Sequence, residues 1–317
     1  MHEFGVMAAR ATRSSRTAAR VALSARIRDA EAVATGPLGA LSHDELGVIF
    51  DGLADPLQPV VAVALSSTCL GLRTPLRAAL ELLKERHERA VALCRKVGTS
   101  CMELRDAEKL EWFVKGLTAD DMATLGMLLS KWLPRPQVLA LQSNDFGDAG
   151  VHALCEGLGR GVAPSLHTLG LGDNNFGPAG AEALAAALRR GAMPKLEWLN
   201  LGNNRIGNRG VAALPLAAPL RKLPELSITD LHSCAIGDED VASLVANLGK
   251  DDFKALEALY LYGNYITDAG CAMLVAALDA GRLPKLINCD LSGNPASASA
   301  VQAVQDAMKV VVVALLD

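Results

Sequence analysis

Leucine and asparagine recur at a fixed step along the C-terminal two thirds of the chain. Around Asn174, leucines stand five and three residues before the asparagine, and an aromatic residue follows two residues after it. Steps of thirty residues lead to the register positions Asn144, Asn174, Asn204, Cys234, Asn264 and Asn294, and leucines stand five and three residues before most of them. A fixed period of this length predicts a solenoid, in which each coil buries its apolar face only against its neighbours.

Each period predicts a short strand, a turn and a helix. The alternation Leu-x-Leu predicts a strand that buries every second side chain. The asparagine offers two donors and an acceptor to the backbone of the turn that leaves the strand. Apolar residues at helical spacing then predict helices over Asp148–Leu158, Ala179–Arg190 and Asp268–Leu278. Prolines ten residues before the register positions end these helices, at Pro134, Pro164, Pro194, Pro224 and Pro284.

The pattern L-x-x-L-x-L-x-x-N/C-x-L resembles that of leucine-rich repeats, and the long period resembles their ribonuclease-inhibitor-like branch. The resemblance covers about residues 106–309, as one degenerate repeat with Lys115 at the register position and six repeats of thirty residues. It implies an α/β horseshoe with a parallel β-sheet on the concave face and helices on the convex face. An α-helical N-terminal cap is expected to precede it.

Two places depart from the regular repeat. Pro215 and Pro219 fall inside the expected helix of the third full repeat. Because proline in a helix interior costs about 3 kcal/mol, we predict that this convex segment is broken or extended. Residues 310–317 form an apolar C-terminal tail, which we expect to cover the open end of the last repeat.

Residues 36–105 predict a helical segment followed by an amphipathic helix from Leu76 to about Lys96, with His87 as a packed core residue. The run from Leu41 to Arg73 resembles an F-box, whose leucine-led helix packs on a Skp-family adaptor of a ubiquitin ligase. The resemblance implies adaptor contacts by Leu41, Glu45, Leu46, Ile49, Phe50 and Leu53. Ser42 and Leu72 stand where proline and tryptophan are usual, so a plain helical pair that covers the first repeat is the alternative.

The first 35 residues form a basic, Arg- and Ala-rich extension. Residues 1–29 contain six arginines against Glu3 and Asp29, a composition typical of an organelle transit peptide. A basic extension that stays on the chain is the alternative. The first reading places the protein in a mitochondrion or plastid, and the second in the cytoplasm.

Composition narrows the classes of function. A formal net charge of −4 gives no basic field for nucleic acid, and no apolar run is long enough to span a membrane as a helix. Seven cysteines without a C-x-x-C pair indicate a reduced, intracellular protein with no disulfide framework or zinc site. No phosphate-binding, metalloprotease or nucleophile-elbow motif is present. We therefore expect no catalytic residues, no cofactor and no metal, and a monomer.

The outward strand positions are the candidate site, because nothing in the repeat fixes their identity. Repeats three to five place aromatic and polar residues side by side there, with Tyr265 just beyond the rim. The predicted partner-binding residues are Trp198, Asn200, Ile228, Asp230, His232, Tyr260, Tyr262 and Tyr265. Tryptophan and tyrosine are enriched in binding hot spots, although aromatic residues are also good strand formers. Asp230 and Asp290 lie on the same face with one repeat between them; we expect solvated residues, with an acid pair as the alternative.

These observations favour a protein–protein interaction module that binds a protein partner on its concave face. In the more specific interpretation it is an F-box-like substrate adaptor of a ubiquitin ligase. The GTPase-activating protein for Ran is also a horseshoe of this branch, so a GTPase regulator is an alternative, although no residue matches its asparagine loop. An organelle-targeted scaffold is the third interpretation.

Overall fold

The computed structural model describes residues 43–68, 76–207, 217–245, 248–249 and 251–316. Within this part, the chain divides between Glu88 and Arg89 into two compact units. The predicted basic extension, Leu41 and the Cys69–Arg73 end of the F-box-like run lie outside the described residues.

Unit 1 is helical. It contains α1 (His43–Leu53), α2 (Val60–Thr68) and the first part of α3 (Arg77–Val97). Its core gathers Phe50, Ala54 and Ala62 against Leu76 and Leu83. His87 is buried, and its Nδ1 lies 2.7 Å from the carbonyl oxygen of Pro56, so this histidine is held by the fold.

Unit 2 is a seven-stranded parallel sheet with one helix after each strand. The end of α3 and α4 (Cys101–Asp106) precede it, and a capping box of Ser100 and Glu103 starts α4. The strands lie side by side in chain order: β1 (Lys109–Glu111), β2 (Val138–Ala140), β3 (Thr168–Gly170), β4 (Trp198–Asn200), β5 (Ile228–Asp230), β6 (Ala258–Tyr260) and β7 (Asn288–Asp290). From β2 onward the register pairs residues thirty apart, so the sequence period is also the geometric period.

The helices form the second layer of unit 2. They are α5 (Ala119–Lys131), α6 (Gly147–Glu156), α7 (Pro178–Arg189), α8 (Ala217–Arg221), α9 (Asp238–Val245), α10 (Asp268–Asp279) and α11 (Ala298–Leu316). The central residue of each strand, such as Leu139, Leu169 or Leu199, is buried toward this layer. The core therefore runs between sheet and helices as one column of mainly leucine side chains, with Thr229 and Cys289 at the centres of β5 and β7.

The register residues form a continuous hydrogen-bonded ladder. Asn204, 1% exposed, donates from Nδ2 to the carbonyls of Leu171 and Leu201 at 2.9 and 2.8 Å. Its Oδ1 accepts from the backbone N–H of Asn174 and Phe176 at 3.1 and 3.3 Å. Equivalent bonds join the coils at Asn144, Asn174, Asn264 and Asn294. At Cys234 the thiol donates to the carbonyl of Leu201 at 3.2 Å instead.

A second set of hydrogen bonds joins the starts of helices in neighbouring coils. Asp148 accepts from the backbone N–H of Gly177 and Gly180, both at 2.7 Å. Asp238 makes the same pair of contacts with Thr267 and Gly270. These carboxylates satisfy helix N-terminal donors of the next coil, which would otherwise lack partners.

Glycine permits close packing of α5 on α6. A Cβ added at Gly157 would lie 2.2 Å from the backbone carbon and oxygen of Gly126. No real side chain tolerates that separation, so the two helices meet backbone to backbone here.

Two expectations concern the third full repeat and the C-terminal end of the array. α8 is only five residues long and contains Pro219, while residues 208–216, with Pro215, lie outside the described residues. At the C-terminus, α11 runs without interruption to Leu316. The predicted tail is thus the last part of a helix, because valine lowers helix propensity by only about 0.5 kcal/mol per residue.

Candidate functional site

The outward residues of the sheet form three columns, one for each outward strand position. Register places Trp198 beside Ile228, and Asp230 between Asn200 and Tyr260. The concave cluster, as we call Trp198, Asn200, Ile228, Asp230, His232, Tyr260 and Tyr262, is therefore contiguous over β4–β6 and the residues that follow each strand. The structure thus brings seven of the eight predicted partner-binding residues onto one surface.

Asp230, His232 and Tyr262 form the ordered centre of the concave cluster. Asp230 Oδ1 lies 2.7 Å from His232 Nδ1 and accepts the His232 backbone N–H at 3.1 Å. The His232 ring stacks on Tyr262 with centroids 4.5 Å apart and an angle of 7° between planes. Both His232 and Asp230 keep less than a fifth of their side-chain surface exposed. This centre is consequently rigid before any partner binds.

The pKa of Tyr262 reports the charges that surround it. Burial raises the pKa of its hydroxyl, and the carboxylates of Asp230 and Asp290 raise it further. Asp290 therefore acts on the site electrostatically, together with Asp230. Asn288, also absent from the predicted set, donates from Nδ2 to the Tyr260 hydroxyl at 3.4 Å.

A glycine makes room for His232. A Cβ added at Gly202 would lie 2.0 Å from Cε1 of the imidazole, so the ring lies over the β4 coil between Gly202 and Tyr262. The same sequence column carries Gly172, Gly202, His232 and Tyr262 at intervals of thirty. This change from glycine to large residues along one column is the sequence signal for the space that His232 occupies.

Trp198 and Tyr265 are the exposed aromatic residues of the site, each 46% exposed. Trp198 starts β4, beside Ile228 on the concave face. Tyr265 instead follows the ladder residue Asn264 on the turn and lies outside the three columns.

The predicted adaptor-binding residues of unit 1 differ in how exposed they are. Ile49 is 38% exposed, Leu53 is half-buried, and Phe50 is 1% exposed in the core. Phe50 therefore packs in the unit 1 core and is not available for contact with an adaptor, because exposing it would empty that core. Glu45 and Leu46 lie on α1, but their side chains, like Leu41, fall outside what the structure describes.

Comparison with known proteins identifies the coils. The family described as "Leucine Rich repeat" matches residues 137–155, 162–185 and 192–214. These coils are leucine-rich repeats. The matched segments contain β2, β3 and β4, and β5–β7 continue at the same step. The expected horseshoe fold class, with its parallel sheet and outer helices, is therefore confirmed for unit 2.

No curated protein matches the chain. Among solved structures it is similar to the "Crystal structure of Rad7 and Elc1 complex in yeast", with 14% sequence identity and a TM-score of 0.34. That match covers 89% of this chain and 74% of the other.

Two other structural features are absent from the described residues. None of their helices is both long and apolar enough to cross a membrane. Within the same residues, no three His, Cys, Asp or Glu side chains gather where they could hold a metal ion.

Proposed function

We propose that this protein is a non-catalytic interaction module that binds a protein partner through the concave cluster. The observation that supports this most directly is the exposure of Trp198 beside Ile228, next to the rigid Asp230–His232–Tyr262 centre. A buried ring of this kind contributes about 150–250 Å² of contact. Hot spots are typically such aromatic anchors set beside polar groups that are already ordered.

The rigidity of the site favours binding. Asp230 fixes the His232 ring, and Tyr262 covers its face. Side chains that are ordered in the free protein lose little conformational freedom on association. Within the concave cluster, Trp198 is the exposed aromatic residue, and it supplies the apolar contact.

Site-specific photo-crosslinking tests this proposal. A photoreactive amino acid replaces Trp198 in one variant and Met273, 37% exposed on α10, in a matched control. We expect one protein to crosslink from position 198 and not from position 273. Its purified form should then bind the Trp198→Ala, Tyr260→Ala double variant at least about tenfold more weakly than the parent chain. Equal affinity for both chains would overturn the concave-face assignment.

The F-box-like interpretation gives a second candidate function for unit 1, as a substrate adaptor of a ubiquitin ligase. The supporting observation is that α1 exposes adjacent apolar residues, with Val48 73% and Ile49 38% exposed. Titration calorimetry with a purified Skp-family adaptor tests it. We expect binding to the full chain, loss on Ile49→Asp, and retention in the control Met102→Asp, which alters an exposed residue of α4. Absence of binding to the parent chain refutes this candidate and leaves the concave face unaffected.

A further inference from the structure

The concave face becomes acidic toward its C-terminal end. The segments 197–202, 227–232, 257–262 and 287–292, which contain β4–β7, include Glu197, Asp230, Glu257 and Asp290 but no lysine or arginine. Glu197 and Glu257 are exposed at the starts of β4 and β6. The aromatic residues of the site thus have carboxylates beside them, and carboxylates attract cationic ligands.

Two carboxylates on this face are held in the same way. Asp230 Oδ1 accepts the backbone N–H of His232 at 3.1 Å, and Asp290 Oδ1 accepts that of Ser292 at 2.9 Å. Among the described residues, none donates a hydrogen bond to Oδ2 of either carboxylate. Over the described part of the chain, neither carboxylate forms an ion pair with a lysine or arginine; the contact of Asp230 with His232 is charged only when the imidazole is protonated.

The tyrosines lie between these carboxylates. In the sheet register, Tyr260 lies between Asp230 and Asp290. The charges of both carboxylates raise the pKa of Tyr262. A planar guanidinium stacks on such rings and pairs with carboxylates through several donors, whereas a lysine ammonium is a compact point charge. The chemistry of the surface therefore matches arginine better than any other side chain.

We propose that this end of the concave face binds an arginine in an extended basic segment of the partner. The guanidinium stacks on Tyr260 or Tyr262 and pairs with Asp230 or Asp290. This inference rests on the proposed function, since it specifies the chemistry of the partner that the concave cluster binds.

Fluorescence anisotropy with the full chain tests it. The probes are a labelled octa-arginine peptide and an octa-citrulline peptide of the same length, which keeps the shape but lacks the charge. We expect octa-arginine to bind at least about tenfold more tightly than octa-citrulline, with an affinity that falls as salt is raised. Octa-citrulline binding as tightly as octa-arginine would refute the proposal.

A charge-matched pair of variants separates this site from general attraction. Asp230→Asn with Asp290→Asn should weaken octa-arginine binding at least about tenfold. The control Glu239→Gln with Asp279→Asn removes the same charge from α9 and α10 on the helical side, and should change it by less than about twofold. Equal loss in both variants would refute the arginine site, while a partner that still crosslinks from position 198 would preserve the proposed function.

Discussion

Removing the amide of Asn204 should weaken unit 2 far more than removing the thiol of Cys234. Alanine at 204 leaves the backbone N–H groups of Asn174 and Phe176 without their acceptor, in a position 1% exposed. Each buried polar group left unpaired costs about 1–3 kcal/mol. The carbonyls of Leu171 and Leu201 also lose the Nδ2 donor. We therefore expect the free energy of unfolding to fall by about 4 kcal/mol for Asn204→Ala.

Cys234 provides the comparison within the same ladder. Its side chain donates one hydrogen bond, to the carbonyl of Leu201, so Cys234→Ala should cost only about 1–2 kcal/mol. Asn288→Ala is the matched control for the chemical change itself. Asn288 is exposed on β7 and makes one long contact, so its replacement should stay within about 0.5 kcal/mol of the parent.

Urea unfolding followed by far-ultraviolet circular dichroism measures all three variants, and linear extrapolation gives each free energy if the slope is unchanged. The expected order of destabilisation is Asn204→Ala, then Cys234→Ala, then Asn288→Ala. A loss below about 1 kcal/mol for Asn204→Ala, or a larger loss for Cys234→Ala, would show that the ladder does not stabilise the stack as argued.

Further predictions concern the ladder, the glycines and an acidic cap. Cys234→Asn should raise the free energy of unfolding by about 1 kcal/mol in the same urea assay, because an amide oxygen there can accept from the preceding coil. Gly157→Ala should lower it by more than about 3 kcal/mol, since the added Cβ meets Gly126 backbone at 2.2 Å. Gly202→Ala should displace His232 from Tyr262, seen as a loss of the ring-current shift of the imidazole proton in NMR, while the far-ultraviolet spectrum is unchanged. Burial raises the pKa of Asp121, but hydrogen bonds from Lys96 and Thr118 leave it below its ordinary value. The ionised Asp121 carboxylate therefore stabilises the fold above the unfolded-state pKa, and this stabilisation is lost as pH falls through the folded-state pKa. Asp121→Asn should accordingly flatten the acid limb of the stability curve below about pH 4.

The repeat was predictable because several local signals share one period. Leucine spacing gave the strands, the asparagine gave the turn, and the helices over Asp148–Leu158, Ala179–Arg190 and Asp268–Leu278 agree with α6, α7 and α10 to within two residues at each end. The turn adds a backbone constraint. The residue before each ladder position, such as Ser143, has a positive φ of 51–68°, and serine, aspartate, asparagine or glycine occupies that position in all six full repeats.

Other features depend on contacts that no local pattern contains. The Ile49–Phe50 pair fits an F-box-like helix, yet Phe50 fills the core of unit 1 while Ile49 is exposed. Which of two adjacent apolar residues is buried depends on how α1 packs on α2 and α3. Similarly, the sequence predicts an apolar tail after Met308, but the preceding helix continues through it to Leu316. Propensity differences of a few tenths of a kcal/mol decide neither case.

For the concave cluster, the sequence predicts which residues share a surface but not how their side chains are oriented. The thirty-residue step put Asp230, His232 and Tyr262 on one surface, because side chains one period apart occupy the same column. The orientation of the imidazole, however, requires the missing side chain at Gly202. With any larger residue there, His232 could not lie over β4, and its contacts with Asp230 and Tyr262 would be lost. The site therefore extends to a glycine that has no side chain of its own, and variation at position 202 should change binding without changing any residue that carries charge or an aromatic ring.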